Sequence, residues 1–141
     1  MEANRRDLLE EVGQLLRQIS LRSRAHVHET LADMDMPGPV SWALRELAEP
    51  MAMRDLAERM WCDASYITAI ADRLEKEGWA VRGSDPDDRR VKQLVLTEGG
   101  RRARAEMIDR IHADMPIARN LTTQELEQLV GLLRKSLLSD H

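Results

Sequence analysis

The sequence predicts a mainly α fold with a small β-hairpin wing, in which a winged helix-turn-helix lies between longer terminal helices. In the middle of the 141-residue chain, two closely spaced amphipathic helices precede two short alternating segments. Leucine-rich stripes with helical spacing lie near both ends. Aromatic residues make up only 3% of the chain, so leucine, methionine and alanine must fill the core, which favours helices.

The first helix is predicted from about Arg5 to Asp33. The residues of its apolar stripe are Leu8, Leu9, Val12, Leu15, Leu16, Ile19, Val27 and Leu31. A helix of about eight turns is longer than the core of such a chain can cover, so part of the stripe is expected to pack on a second protomer. Pro37 and Pro39 flank Gly38 and prevent the helix from continuing.

Two shorter helices are predicted next. The second helix covers Val40–Ala48, with Pro39 in its first turn and Pro50 beyond its end. Its inward residues are predicted to be Trp42, Leu44 and Leu47. The third helix is marked by the apolar residues Leu56, Ala57 and Met60.

The fourth helix is predicted over Ala64–Glu77. Its apolar positions recur three and four apart at Ile67, Ile70, Ala71 and Leu74. Asp63 can cap its start, and Gly78 lies where a left-handed C-cap belongs. Because Trp61–Asp63 leaves room only for a tight turn, the third and fourth helices must cross steeply, as in a DNA-reading helix-turn-helix.

A β-hairpin is predicted after Gly78. Its strands alternate over Trp79–Arg82 and Lys92–Leu96. The break between them begins with Gly83, Ser84, Asp85 and Pro86. The tip of the hairpin carries Asp87, Asp88, Arg89 and Arg90.

Two helices are predicted beyond the hairpin. Thr97 caps the first, which runs to about Met115, where Pro116 interrupts it. The apolar stripe of this helix consists of Ala103, Met107, Ile108 and Ile111. Thr122 and Glu125 have capping-box spacing at the start of the second. The apolar face of that last helix consists of Leu126, Leu129, Val130, Leu133 and Leu137.

The hairpin also carries a motif with fixed spacing, formed by Asp88, Arg90, Lys92, Leu96 and Thr97. It is similar to the wing motif of the MarR (multiple antibiotic resistance regulator) family of bacterial transcription factors, with lysine in place of the second arginine. The resemblance extends to Asp55–Arg59, Asp72–Gly78 and Thr97–Arg101. Ala52 stands where the family has a serine or threonine cap, and the missing cap should cost about 1 kcal/mol.

The motif and the resemblance together predict a set of DNA-binding residues. Arg90 at the wing tip is expected to enter a narrow minor groove, with Asp88 on the same side of the strand holding it in position. Lys92 is expected either to contact a phosphate or to solvate the strand, and Arg89 either to bind DNA or to remain an exposed charge. Arg73 on the fourth helix is expected to contact a phosphate. The predicted major-groove readers, in the first turns of that helix, are Ser65, Tyr66, Thr68 and Ala69.

The resemblance further implies a ligand-responsive, DNA-binding transcriptional regulator. This would be a homodimeric repressor that binds a pseudo-palindromic operator in double-stranded DNA and is released by a small aromatic or phenolic effector, such as an aromatic anion. Residues 1–38 and 99–141 would form the dimerisation lobe, and residues 39–98 the DNA-binding domain. The effector would bind between these lobes, where the candidate lining residues are Arg22, His26, His28 and Trp42.

Charge supports DNA binding only locally. The net charge is −4, yet Arg54–Arg102 is balanced, so the excess acid lies outside the predicted DNA-reading segment. Within that segment, three of the four residues in Arg89–Lys92 are cationic, and such local concentration sets the attraction to phosphate. The acidic balance leaves open a protein-interaction winged helix that does not bind DNA.

Other functions have weaker signals. Because Cys62 is the single cysteine of the sequence, an intramolecular disulfide is excluded. A redox-sensing regulator that uses this cysteine is a further alternative. His26 and His28 are two residues apart and do not share a helix face, so no metal site and no cofactor are predicted. Catalytic motifs are absent, so no enzyme is predicted. Because the sequence has no signal peptide or membrane-spanning run, the protein is expected in the cytoplasm.

Overall fold

The computed structural model describes residues 2–138 and is mainly helical, with one small sheet. In chain order, the elements within these residues are α1 (Glu2–Asp33), α2 (Gly38–Glu46), β1 (Met51–Ala52), α3 (Met53–Arg59), α4 (Ala64–Lys76), β2 (Ala80–Ser84), β3 (Lys92–Leu96), α5 (Glu98–Ala113), a 3-10 turn (Pro116–Ala118) and α6 (Thr123–Ser136). The predicted class, a mainly α winged helix-turn-helix, is confirmed.

The three strands form an antiparallel sheet in the order β1-β3-β2. The predicted hairpin pairs Ala80 with Leu96 and Ser84 with Lys92. On the other edge of β3, Met51 pairs with Leu94. The sequence analysis missed β1, because two residues are too short to show an alternating pattern and only their pairing with β3 defines them as a strand.

The chain divides into two compact units. Among the described residues, the first comprises residues 2–27 and 111–138, and the second is His28–Arg110. The second unit contains the helix-turn-helix and the sheet. Its most deeply buried side chains come from α2 and its C-cap, α3, α4, the central strand β3 and α5, and include Leu44, Leu47, Leu56, Ile67, Leu74, Leu94 and Met107.

The ends of α4 form as predicted. Asp63 Oδ1 accepts the backbone N–H of Tyr66 at 2.9 Å, which satisfies one of the free donors of the first turn. Gly78 has a φ of 74°, and Trp79 N–H bonds the carbonyl of Leu74 at 2.9 Å, as in a Schellman C-cap. At the start of α3, Ala52 is the N-cap residue and makes no side-chain hydrogen bond, and the energetic cost of the missing cap stays a prediction.

The two later caps are confirmed as well. Thr97 Oγ1 accepts the N–H of Gly100 at 3.0 Å at the start of α5. Thr122 and Glu125 form the reciprocal bonds of a capping box at the start of α6. These local signals depend on residues within three positions of each other, so the sequence alone could reveal them.

Two predictions about the second unit are wrong. Trp42 does not face inward and is 43% exposed, because α2 buries Val40, Ala43 and Leu44 instead. Residues two apart on a helix point to nearly opposite sides, so burying Leu44 turns Trp42 outward. In addition, Gly83 and Ser84 belong to β2, and the break in the hairpin begins only at Asp85.

The first unit leaves long apolar faces uncovered within the single chain. Along α1, six stripe residues are exposed: Leu8, Leu9, Val12, Leu15, Leu16 and Ile19. On α6, Val130, Leu133 and Leu137 are exposed. The predicted domains 1–38, 39–98 and 99–141 stay predictions, and their ends at residues 1 and 139–141 lie outside the described residues. Across residues 2–138, no helix is both long and apolar enough to cross a membrane.

Candidate nucleic-acid interface

Helix α4 presents a short polar surface at its N-terminal end. Ile67, Ile70 and Leu74 are buried on its inner face. Since burial of these residues fixes the rotation of the helix, the predicted readers must point away from the core. All four of them, Ser65, Tyr66, Thr68 and Ala69, are exposed.

The hydroxyl groups of this surface differ in what they can still donate. Ser65 Oγ donates to Asp63 Oδ1 at 2.7 Å, and Thr68 Oγ1 donates to the carbonyl of Ala64 at 2.9 Å. Both hydroxyl protons are therefore engaged within α4, and only the oxygen lone pairs remain for DNA. The Tyr66 phenol makes no such bond within residues 2–138, so its hydroxyl proton can still be donated to a partner.

The wing tip is organised by a contact between Asp88 and Arg90. Asp88 Oδ1 accepts the backbone N–H of Arg90 at 3.1 Å and its Nε–H at 3.2 Å. The two residues lie in the turn between β2 and β3 and not on a strand, so the predicted contact forms by a different geometry from the one expected. The Arg90 side chain is 92% exposed, and its outer nitrogens remain available to a partner.

The other predicted basic contacts are less fixed. Arg89 and Lys92 are exposed, and neither forms an ion pair in the part of the chain that the structure describes. Arg73 Nε pairs with Glu77 Oε1 at 3.1 Å along α4. Because that pair is exposed, it is weak and a phosphate can replace it.

Arg82 was missed by the sequence analysis, although it joins β2 to α4. Its Nη2 donates to the Thr68 carbonyl at 3.2 Å and to the Asp72 carboxylate, and its Nε lies 3.4 Å from Glu75 Oε1. These contacts tie the wing to the outer side of the recognition helix. One feature of the sequence indicates this role. Arg82 is a charged residue in an alternating strand, and the helix before that strand carries two acidic residues three positions apart.

Comparison with known proteins identifies the family of this chain. A profile of the MarR family matches residues 44–92, which include α3, α4, β2 and the wing loop as far as the first residue of β3. The uncharacterized HTH-type transcriptional regulator YpoP of Bacillus subtilis is 30% identical over 98 residues, covering 68% of this chain and 69% of YpoP. The chain belongs to the MarR family.

The chain is also similar, over most of its length, to a named family member and to solved structures. The multiple antibiotic resistance protein MarR of Escherichia coli is 26% identical over 138 residues, covering 93% of this chain and 96% of that protein. A MarR family protein from Bacillus stearothermophilus has a TM-score of 0.78 at 25% identity, covering 93% of this chain and 94% of that one. A cysteine-to-serine mutant of E. coli MarR complexed with operator DNA has the same fold, with a TM-score of 0.67 at 24% identity over 94% of this chain and 97% of that one.

The matches to some relatives are partial. The chain spans 58%, 66% and 61% of the lengths of three other Bacillus subtilis HTH-type regulators, YcgE, YkoM and YfiV. These relatives are described as HTH-type transcriptional regulators.

The candidate effector residues of this MarR-family chain are divided between the units. Arg22 and His26 lie in the first unit, where His26 Nε2 donates to the carbonyl of Ile111 at 2.7 Å. His28 and Trp42 lie in the second unit, and His28 is exposed. No cluster of three metal-binding side chains occurs among the described residues.

Cys62 lies in the turn before α4 and is partly exposed. Its burial and the nearby Asp63 carboxylate both raise the pKa of its thiol above the ordinary value. The thiol is therefore protonated at neutral pH. Since the thiolate is the form that oxidants attack, this environment gives no support to the redox-sensing alternative.

Proposed function

We propose that the protein is a cytoplasmic, homodimeric repressor that binds a pseudo-palindromic operator in double-stranded DNA. The observation that carries this proposal is the position of Arg90, which projects from the wing tip while Asp88 fixes its backbone and its Nε. Such an arginine suits a narrow minor groove, where the negative potential is strongest. The structure of a mutant E. coli MarR in complex with operator DNA supports DNA binding by this chain.

The recognition helix supplies the second part of the proposed interface. Tyr66, Ser65 and Thr68 lie in the first turns of α4, which is the end that enters a major groove in helix-turn-helix proteins. None of them makes the bidentate contact that arginine makes with guanine. We therefore expect much of the affinity to come from phosphates and from the wing.

The dimer is supported by the uncovered leucine faces of α1 and α6. On α1, the six apolar stripe residues from Leu8 to Ile19 are each at least 37% exposed in the single chain. Leu137, at the end of α6, is 83% exposed. Burying such faces against a second copy removes apolar area from water, which is the main driving force for association. A two-fold dimer presents two recognition helices, so the operator should contain two half-sites about one turn of DNA apart.

The proposed repressor also has a small effector. By resemblance it is a small aromatic anion, for which Arg22, His26 or His28 offers charge and Trp42 a stacking face. It would act by favouring a dimer whose recognition helices are wrongly spaced for successive grooves. Titrating benzoate and hydroxybenzoates into a protein–DNA complex tests this point, and retention of the complex with all of them leaves constitutive repression.

A salt-dependent gel shift on the region upstream of the protein's own gene tests the proposal as a whole. Because phosphate contacts release counterions, affinity should fall steeply between about 50 and 200 mM salt. A footprint should show an imperfect inverted repeat. Absence of binding at low salt would favour the protein-interaction alternative, and a single unrepeated footprint would contradict the dimeric arrangement.

A further inference from the structure

A cavity of about 630 Å³ opens beside the N-terminal end of α4, entirely within the second unit. Three of the chain's four aromatic side chains line it, together with a methionine, a cysteine and one carboxylate. These lining residues are Trp42, Met60, Trp61, Cys62, Asp63 and Tyr66. Its size and largely apolar wall are typical of sites that bind small molecules.

Trp61 has a backbone conformation that favours glycine. It follows α3 as the C′ residue of a Schellman motif, in which Trp61 N–H bonds Glu58 O at 3.2 Å and Cys62 N–H bonds Ala57 O at 3.0 Å. Its φ is 55°, which a residue with a Cβ rarely adopts. The Trp61 side chain is also 91% exposed, so packing within the single chain does not account for a tryptophan at this position.

The cavity carries one negative charge and no basic side chain. Asp63 Oδ1 is held by the Ser65 hydroxyl at 2.7 Å and by Tyr66 N–H at 2.9 Å. These bonds keep the pKa of Asp63 below its ordinary value, so the group is ionised at neutral pH. The backbone N–H of Ser65 also bonds this carboxylate, and Asp63 lines the cavity. Lysine, arginine and histidine are absent from the described lining.

We propose that this cavity binds a lipophilic organic cation, such as an aromatic ammonium or phosphonium compound, with Asp63 as its counter-ion. Tryptophan and tyrosine rings attract cations to their faces, and Trp42, Trp61 and Tyr66 supply three such rings. Met60 and the neutral Cys62 thiol add polarisable apolar contacts. An aromatic anion would be repelled by the same carboxylate, so this site has the opposite charge selectivity to the proposed effector site, with which it shares Trp42, and the two ligands would compete for that ring.

The site has a consequence for regulation that rests on the proposed function. Tyr66 lines the cavity and is also a proposed DNA reader, so a bound cation would contact the surface that meets DNA. The cation can bind to the protein whether or not the protein binds DNA. Calorimetry without DNA therefore tests the cavity even if the protein fails to bind an operator.

Tetraphenylphosphonium and tetraphenylborate are suitable probes because they share size and shape but carry opposite charges. Each is titrated into the full-length protein by isothermal calorimetry, and quenching of tryptophan fluorescence is followed in parallel. We expect the phosphonium to bind at least about tenfold more tightly than the borate, because only the cation gains from the carboxylate and the ring faces. Equal affinities, tighter binding of the borate or no binding of the phosphonium would overturn the proposal.

Two variants assign the binding to this cavity. Asp63→Asn removes the charge but can still cap α4, since asparagine is as good an N-cap as aspartate. It should weaken phosphonium binding about three- to tenfold and should not weaken borate binding. Asp87→Asn removes one exposed charge from the wing loop, outside the cavity, and should leave both affinities unchanged. Equal effects of the two substitutions would show that net charge alone attracts the cation.

Trp61→Gly tests the aromatic wall and controls for misfolding. Glycine suits the left-handed backbone, so this variant should melt at a higher temperature than the parent while it loses about tenfold or more in phosphonium affinity. A lower melting temperature would show that the ring is present for stability. Unchanged phosphonium affinity would show that Trp61 takes no part in binding.

Discussion

The carboxylate of Asp88 holds Arg90 by two hydrogen bonds, one from the backbone N–H at 3.1 Å and one from Nε at 3.2 Å. Both residues lie in the exposed turn of the wing. The pair adds little to the stability of the fold, because exposed ion pairs are weak. It restricts a side chain that is otherwise free to move, which would lower the entropy cost of the proposed contact with DNA.

Replacing Arg90 should weaken DNA binding more than removing the same charge elsewhere. Arg90→Ala should cost about 1–3 kcal/mol of binding free energy, because a minor-groove arginine is lost. Arg101→Ala also removes one positive charge, but Arg101 Nη1 donates to the Leu96 carbonyl at 3.0 Å. Within residues 2–138, the ion pair of Arg102 is with Glu98 alone, so Arg102 is the cleaner control. Fluorescence anisotropy at several salt concentrations measures the difference, and equal losses for Arg90 and Arg102 would show that charge alone governs binding.

Removing the Asp88 carboxylate should weaken DNA binding even though it deletes a negative charge. Asp88→Ala frees the Arg90 side chain, so more conformational entropy is lost when DNA binds. Asp87→Ala deletes a neighbouring charge whose side chain has no hydrogen bond within the described wing, and it should strengthen binding slightly. Tighter binding by both variants in the same anisotropy assay would argue against a positioning role for Asp88.

Arg82 should couple the wing to the recognition helix. Arg82→Ala removes bonds to the Thr68 carbonyl and to Asp72 and Glu75, and should lower the free energy of unfolding by about 1 kcal/mol, since these groups are partly exposed. It should also reduce operator affinity, although Arg82 is not a proposed DNA contact. Urea unfolding and anisotropy measure the two effects. Arg102→Ala breaks a single exposed pair, and an equally large change in that control would show that Arg82 has no special role.

Gly100 should be intolerant of any side chain. A Cβ at this position would lie 1.8 Å from the carbonyl oxygen of Trp79, which is backbone and cannot move aside cheaply. Gly100→Ala should therefore destabilise the protein by at least about 1–3 kcal/mol in urea unfolding, as overpacked positions do. At Gly99 the nearest atom would be 3.6 Å away, so Gly99→Ala should be neutral or slightly stabilising. Similar stabilities for the two variants would mean that α5 does not pack against Trp79 as described.

The dimer should depend on the leucine face of α6. Leu133→Glu places a charge on that face and should convert the dimer to monomer at micromolar concentration in light scattering, because burying an unpaired carboxylate is costly. Leu132→Glu changes an adjacent, 64% exposed leucine outside the predicted stripe and should leave the mass unchanged. A monomeric parent protein would contradict the proposed assembly directly.

The sequence by itself determined the local features of this chain. The Asp63 cap, the left-handed Gly78 and the capping box of Thr122 all depend on neighbours a few residues away, so local chemistry decides them. The same holds for the contact between Asp88 and Arg90, which are two residues apart. The family motif then indicated how these elements are used.

Tertiary structure decided which faces and long-range partners these elements have. Trp42 points outward because packing of Leu44 sets the rotation of α2, and the periodicity of a short helix does not fix that rotation. β1 exists only through its pairing with β3, and Arg82 meets Asp72 only because the wing folds back toward α4. The aromatic cavity beside Asp63 likewise combines residues from α2, the turn and α4. Contacts between distant segments depend on the packing of the whole unit, which no local pattern encodes.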